Sequence, residues 1–166
     1  MTEDTAEDRD NNTASEGDLQ YVEDLTVGQR WEPGSVTLTE EGMLAFAEEF
    51  DPQPFHVDPE AGTRHFDGLI ASGWHTAAAA MRPFAAEVLS EVAIVAALGI
   101  DDLRWHAPVQ PGDTLSVEVS VADIEPWNDQ RGKVTFELGA TNQDGDLVHS
   151  RKDLVLVERR DAPDGG

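Results

Sequence analysis

The stretch FDPQPFHVDP sets two proton-transfer side chains, Asp51 and His56, five positions apart with Pro52 and Pro54 between them. Each proline fixes φ and removes a backbone donor, so the segment is expected to avoid regular helix and hold the two side chains in one relative arrangement. A carboxylate and an imidazole aimed at one point can share a water molecule. One accepts its proton while the other polarises it, and imidazole titrates near neutrality without special tuning. The same residues also fit a carboxylate that closes a helix in a turn and a histidine satisfied in a partly buried spot.

A second cluster follows in LIASGWHTAAAA, where Gly73 succeeds Ser72 at the mouth of a long apolar segment. The first amides of a helix lack internal partners and sit at its positive end, so they can stabilise a developing negative oxygen. The simpler role for Gly73 is to ease the chain into the helix. His56 with Asp58, and His65 with Asp67, have a spacing that could offer two ligands to a metal, but no third ligand is evident, so no metal site is expected. The chain has no cysteine, which removes thiolate nucleophiles, thiolate metal sites and disulfides.

The elements that must position these groups are legible in outline. GSVTLT alternates as a strand does, and EEGMLAFAEEF puts Met43, Leu44, Ala47 and Phe50 on one helical face, with Thr39 as cap and Pro52 as stop. Asp58 and Pro59 read as cap and first position of a short helix over PEAGTRHF. GWHTAAAAMRPFAAEVLSEVA is apolar nearly all round, which predicts a helix buried on most sides with a bend at Pro83. Beyond it, valine-rich alternating runs separated by Pro111-Gly112-Asp113 and Asp144-Gly145 predict an antiparallel sheet. A long buried helix followed by several strands implies an α+β domain whose sheet wraps the helix.

Composition narrows the partners. Thirty-four acidic residues against eleven basic ones give a net charge of -23, which repels nucleic acid and anionic membranes. Such self-repulsion is relieved where salt shortens the Debye length, so a halophilic source is expected. Residues 1–19 are acidic and nearly devoid of large apolar groups, and read as a disordered tail; 20–158 form one domain; 159–166 read as a flexible C-terminal tail. No signal-peptide pattern or long apolar stretch is present, so a soluble cytoplasmic protein is expected.

Three blocks in order, DPQPFHVDPE (Asp51 to Glu60), FDGLIASGWHT (Phe66 to Thr76) and APVQPGDTL (Ala107 to Leu115), make the chain resemble the MaoC-like dehydratases and R-specific enoyl-CoA hydratases of the hot dog fold. The likeness spans about Val22 to Val157. It implies an antiparallel sheet wrapped around a long central helix, a catalytic pair in Asp51 and His56, and an oxyanion hole at the Gly73 amide. It further implies that Ser72, Trp74, His75, Phe55 and Arg64 contact substrate. Gln53 stands where the family motif has asparagine, and the region of Met81 lacks the hydroxyl that some hydratases carry there.

What the resemblance implies for function is a hydro-lyase of fatty acid metabolism, interconverting trans-2-enoyl and 3-hydroxyacyl thioesters, with coenzyme A as part of the substrate and no other cofactor. A homodimer or higher homo-oligomer is implied as well. Two alternatives stand beside it: a hot dog thioesterase, and a non-catalytic subunit that binds acyl-CoA or supports a partner. Arg64, Arg82 and Arg104 are the arginines nearest the motifs for holding carrier phosphates, and Ala77 to Ala80 read as core packing.

Overall fold

In the run TLSVEVSVADIEP, Leu115, Val117, Val119 and Val121 are buried while the residues between them are not, the period-2 signature of a sheet with one face on the core. The computed structural model describes residues 18–161. Of the tails expected at 1–19 and 159–166, residues 1–17 and 162–166 lie outside the described residues.

Five strands form one antiparallel sheet: β1 (Arg30–Thr37), β2 (Ile94–Trp105), β3 (Thr114–Pro126), β4 (Arg131–Thr141) and β5 (Leu147–Glu158), in the order β1-β3-β4-β5-β2. β1 and β2 are therefore edges. Pro33 sits on edge strand β1 beside an irregularity between Trp31 and Gly34, where a missing backbone donor is tolerated. β2 departs from register with β5 at three places, and Asp102 near its end has φ 52.

Four helices complete the domain: α1 (Glu40–Phe50), α2 (Pro54–Val57), α3 (Pro59–Gly62) and α4 (Gly73–Glu87). Thr39 caps α1 by accepting from the Gly42 amide, as its position predicts. α4 carries Thr76, Ala77, Ala80, Pro83 and Phe84 into the core, where Phe84 meets Phe136 of β4 edge-on at 5.5 Å between centroids. Truncating so large a buried side chain costs about 3–5 kcal/mol. The wrapped-helix α+β architecture implied by the motifs is the one observed.

Three local expectations need correction. Two prolines do not keep 54–57 out of helix, because Pro54 opens the single turn of α2, where its missing N–H has no acceptor to serve. The helix begun at Pro59 stops at Gly62 instead of running to Phe66: the chain folds back so tightly that a Cβ at Gly62 would lie 2.0 Å from the Gly68 carbonyl oxygen. The long helix is unbroken at Pro83 but ends at Glu87, then tightens to a 3-10 turn at Leu89–Glu91, where the Ser90 hydroxyl donates to the Ala86 carbonyl. It is also less enclosed than its composition predicts, since Trp74, Ala78 and Arg82 are exposed.

Candidate active site

The end of α1 places Asp51. Its amide donates to the Ala47 carbonyl at 2.9 Å, and Pro52 stops the helix so that the carboxylate projects from the terminus. One turn on, α2 carries His56 inward, leaving it only 6% exposed. His56 Nδ1 lies 2.9 Å from the Ile70 carbonyl oxygen. A carbonyl can only accept, so Nδ1 bears the proton, and in the neutral ring Nε2 is a bare acceptor. That Nε2 stands 3.4 Å from Asp51 Oδ2.

The carboxylate is held from two directions. Ser72 Oγ donates to Oδ2 at 2.6 Å, and Gln53 Nε2 donates to Oδ1 at 2.8 Å. These two bonds, the Ser72 hydroxyl foremost, with the nearby imidazole adding a little, hold the Asp51 carboxyl below its ordinary value against the opposing cost of burial. Asp51 is thus a carboxylate at neutral pH. Gln53, standing where the family pattern has asparagine, still reaches the carboxylate.

α4 opens beside this pair. Among the described residues no acceptor takes the Gly73 N–H, as expected of a first-turn amide. Glycine is required there by packing: a Cβ would lie 2.4 Å from the Trp105 indole, whose Nε1 donates to the Gly73 carbonyl at 2.8 Å. The third motif supplies the facing wall, because the Val109 carbonyl accepts from the Ala71 amide at 2.8 Å and fixes the approach to α4. His56, Gly73, Thr76 and Trp105, with Phe66 and the Ala107–Pro108–Val109 segment, line a cleft of about 280 Å³.

The remaining sequence-selected residues disperse. Phe55 packs edge-on against His56 at 4.5 Å between centroids. His75 stacks on Phe46 at 4.8 Å with Nδ1 buried and unpartnered, and burial lowers its pKa; it does not line the cleft. Trp74 is exposed and meets Trp105 edge-on, facing an apolar groove of about 720 Å³ between α4, β2 and β5. Arg64 is exposed and also away from the cleft wall. Among the described residues, Arg64, Arg82 and Arg104 have no carboxylate within salt-bridge distance.

The sequence reading missed the Ile70 carbonyl, Thr76 and His106. A backbone carbonyl carries no residue signal, and Thr76 is marked only by lying one turn past Ser72, whose carbonyl accepts its amide. His106 lines the cleft with its Nε2 2.7 Å from Ser150 Oγ. It sits beside the third motif, and this adjacency was the available clue. Among the described residues no group of three potential metal ligands occurs.

Residues 24–143 match the family model of the MaoC like domain. Over 139 residues the chain is 32% identical to the uncharacterised protein YdeM of Bacillus subtilis, covering 83% of this chain and 99% of that one. The MaoC-like dehydratase from Rhodospirillum rubrum superposes with a TM-score of 0.77 at 41% identity, covering 85% of this chain and 98% of the other. The unliganded R-hydratase PhaJ1 from Pseudomonas aeruginosa superposes with a TM-score of 0.63 at 27% identity, covering 88% and 95%.

Proposed function

The chain belongs to the MaoC-like domain family, and on that premise we propose that it is a hydro-lyase for acyl thioesters, adding water across a trans-2-enoyl double bond and removing it in reverse. The observation that carries this reading is the approach of His56 Nε2 to Asp51 Oδ2, 3.4 Å apart, next to a cleft that Gly73 also lines. Two acceptors facing each other at that distance call for a shared donor. A water molecule supplies it, with one O–H toward each and its oxygen lone pair free for the β-carbon.

In the hydration direction the new C–O bond forms at the β-carbon as the water loses a proton to the pair. The π electrons move to the thioester oxygen, and as they return the α-carbon takes the proton back from the pair, which completes the adduct and restores both side chains. Charge on that oxygen would be met by the Gly73 amide at the positive end of a four-turn helix. A preorganised donor of this kind contributes about 3 kcal/mol to barrier lowering. Coenzyme A enters as part of the substrate, and no further cofactor has a role in these steps. Arg64, Arg82 and Arg104, with no carboxylate within salt-bridge distance among the described residues, are candidates for its phosphates on an otherwise anionic surface.

The assembly proposed is a homodimer joined along β2, an edge strand that leaves Leu98, Ile100 and Trp105 exposed beside the apolar groove. A molar mass of twice the chain by light scattering, falling to one chain in Leu98→Glu, checks it. Salt tolerance and a cytoplasmic setting are proposed on the net charge of -23 alone.

Crotonyl-CoA at high salt separates the readings for the reaction. Loss of the enoyl-thioester absorbance without free thiol supports the hydro-lyase. Thiol release points to a thioesterase, and silence in both assays to a binding subunit.

A further inference from the structure

Serine is among the best helix N-caps, normally accepting with Oγ from the second or third amide of the helix it precedes. Two other helices of this chain are capped in that manner: Thr39 accepts from Gly42, and Asp58 accepts from the Glu60 amide at 3.0 Å. Ser72 occupies the corresponding place before α4 but makes no side-chain cap bond. It is 1% exposed, and its hydroxyl points instead to Asp51 Oδ2, 21 positions earlier in the chain.

We infer that Ser72 is a positioning residue, diverted from capping α4 to fix the carboxylate of Asp51 in the orientation that presents Oδ2 to His56. The oxygen it holds is the one 3.4 Å from His56 Nε2, while Gln53 holds the opposite oxygen, so the two donors together stop rotation about the carboxylate's last bond. The donors differ in environment. Gln53 is exposed, so bulk water can replace its amide when it is removed, whereas Ser72 is buried. The diversion also leaves the second and third amides of α4, those of Trp74 and His75, without a side-chain cap. Ser72 thereby becomes a support for the carboxylate rather than a substrate contact. The kinetic consequence rests on the hydro-lyase reading, whereas the effect on Asp51 does not.

The test is the titration of the Asp51 side-chain carboxyl by carbon NMR in the full-length protein, alongside the pH dependence of crotonyl-CoA hydration. Ser72→Ala removes the donor, Ser72→Cys keeps the approximate volume with a weak one, and Gln53→Ala removes the exposed donor. In both Ser72 variants the Asp51 midpoint is expected to move up, further in Ser72→Ala, and less in Gln53→Ala than in either. The acid limb of the rate profile should follow it. Turnover in Ser72→Ala should fall about tenfold or more, with KM changing much less. A merely space-filling Ser72 moves stability but not this midpoint. An Asp51 titration identical in wild type and both Ser72 variants overturns the inference, even if the wild type hydrates crotonyl-CoA. A wild type inert to every thioester, with a Ser72-sensitive Asp51, overturns the proposed function and supports the positioning role. Should Ser72→Ala fail to fold, the Ser72→Cys titration decides alone.

Discussion

Two polar clusters touch α4, and each contains a histidine whose Nδ1 faces a backbone carbonyl: His56 that of Ile70 at 2.9 Å, His149 that of Arg104 at 3.1 Å. They differ in what the other nitrogen meets. Beside His149 Nε2 lies a donor, Arg151 Nη1 at 3.4 Å; beside His56 Nε2 lies a second acceptor, Asp51 Oδ2. Arg151 goes on to bond Asp153, the Ala77 carbonyl and the Met81 sulfur, and His149, Arg151 and Asp153 are buried on β5, the last two along the wall of the apolar groove. The first cluster is short of a proton donor and opens on a cleft; the second has a partner for each group. Acid, base and cation types in proximity therefore do not mark a reactive site, but a mismatch of acceptors beside open space does.

That contrast breaks first at the open cluster. His56→Ala and Asp51→Asn should each cut hydration of crotonyl-CoA by about 10²–10⁴-fold while leaving the melting temperature within a few degrees of wild type. Retention of full activity in either variant sinks the assignment of the pair.

The closed cluster should respond in stability instead. Arg151→Ala strands the Asp153 carboxylate and is expected to cost about 3–5 kcal/mol in urea denaturation, because an uncompensated buried charge remains. Replacing both partners together, Arg151→Met with Asp153→Leu, should recover most of that loss. If the double variant is as unstable as the single one, the pair itself and not the stranded charge is what matters.

A smaller effect sharpens the comparison through pH. Burial, with the Arg151 charge second, lowers the His149 pKa from 6.5 to about 4. Because the folded value is the depressed one, the unfolded chain takes up the proton first. The stability contributed by neutral His149 is complete above pH 6.5 and is lost as pH falls toward 4. His149→Gln should flatten the urea midpoint across that window; an unchanged slope would place the titration elsewhere.

Legibility varied by the range of the forces involved. Thr39 as a cap and the valine alternation of β3 were readable because each is a local matter of amides or of a period of two. Helix ends were less so. Gly62 terminates α3 through a clash with Gly68, and Glu87 ends α4 where its alanine-rich composition would continue, so long-range packing or a competing side-chain bond decides. At the candidate site, Asp51, His56 and Gly73 could be singled out from motif and spacing. Trp74 and His75 could not be turned to the correct side, since neighbours on one helix differ by about 100° and the heading depends on what packs there.

The sequence alone determined the family and the sheet-and-helix class, and singled out Asp51, His56 and Gly73 as candidates, because motif order and hydrophobic period are written in one dimension. Tertiary structure decided which nitrogen of His56 is free, which oxygen of Asp51 it faces, that Ser72 serves the carboxylate, and why position 73 must lack a Cβ. All but the approach of His56 to Asp51 depend on a contact between residues fourteen or more positions apart, and directional hydrogen bonds and excluded volume act only once folding has brought such groups within a few ångströms.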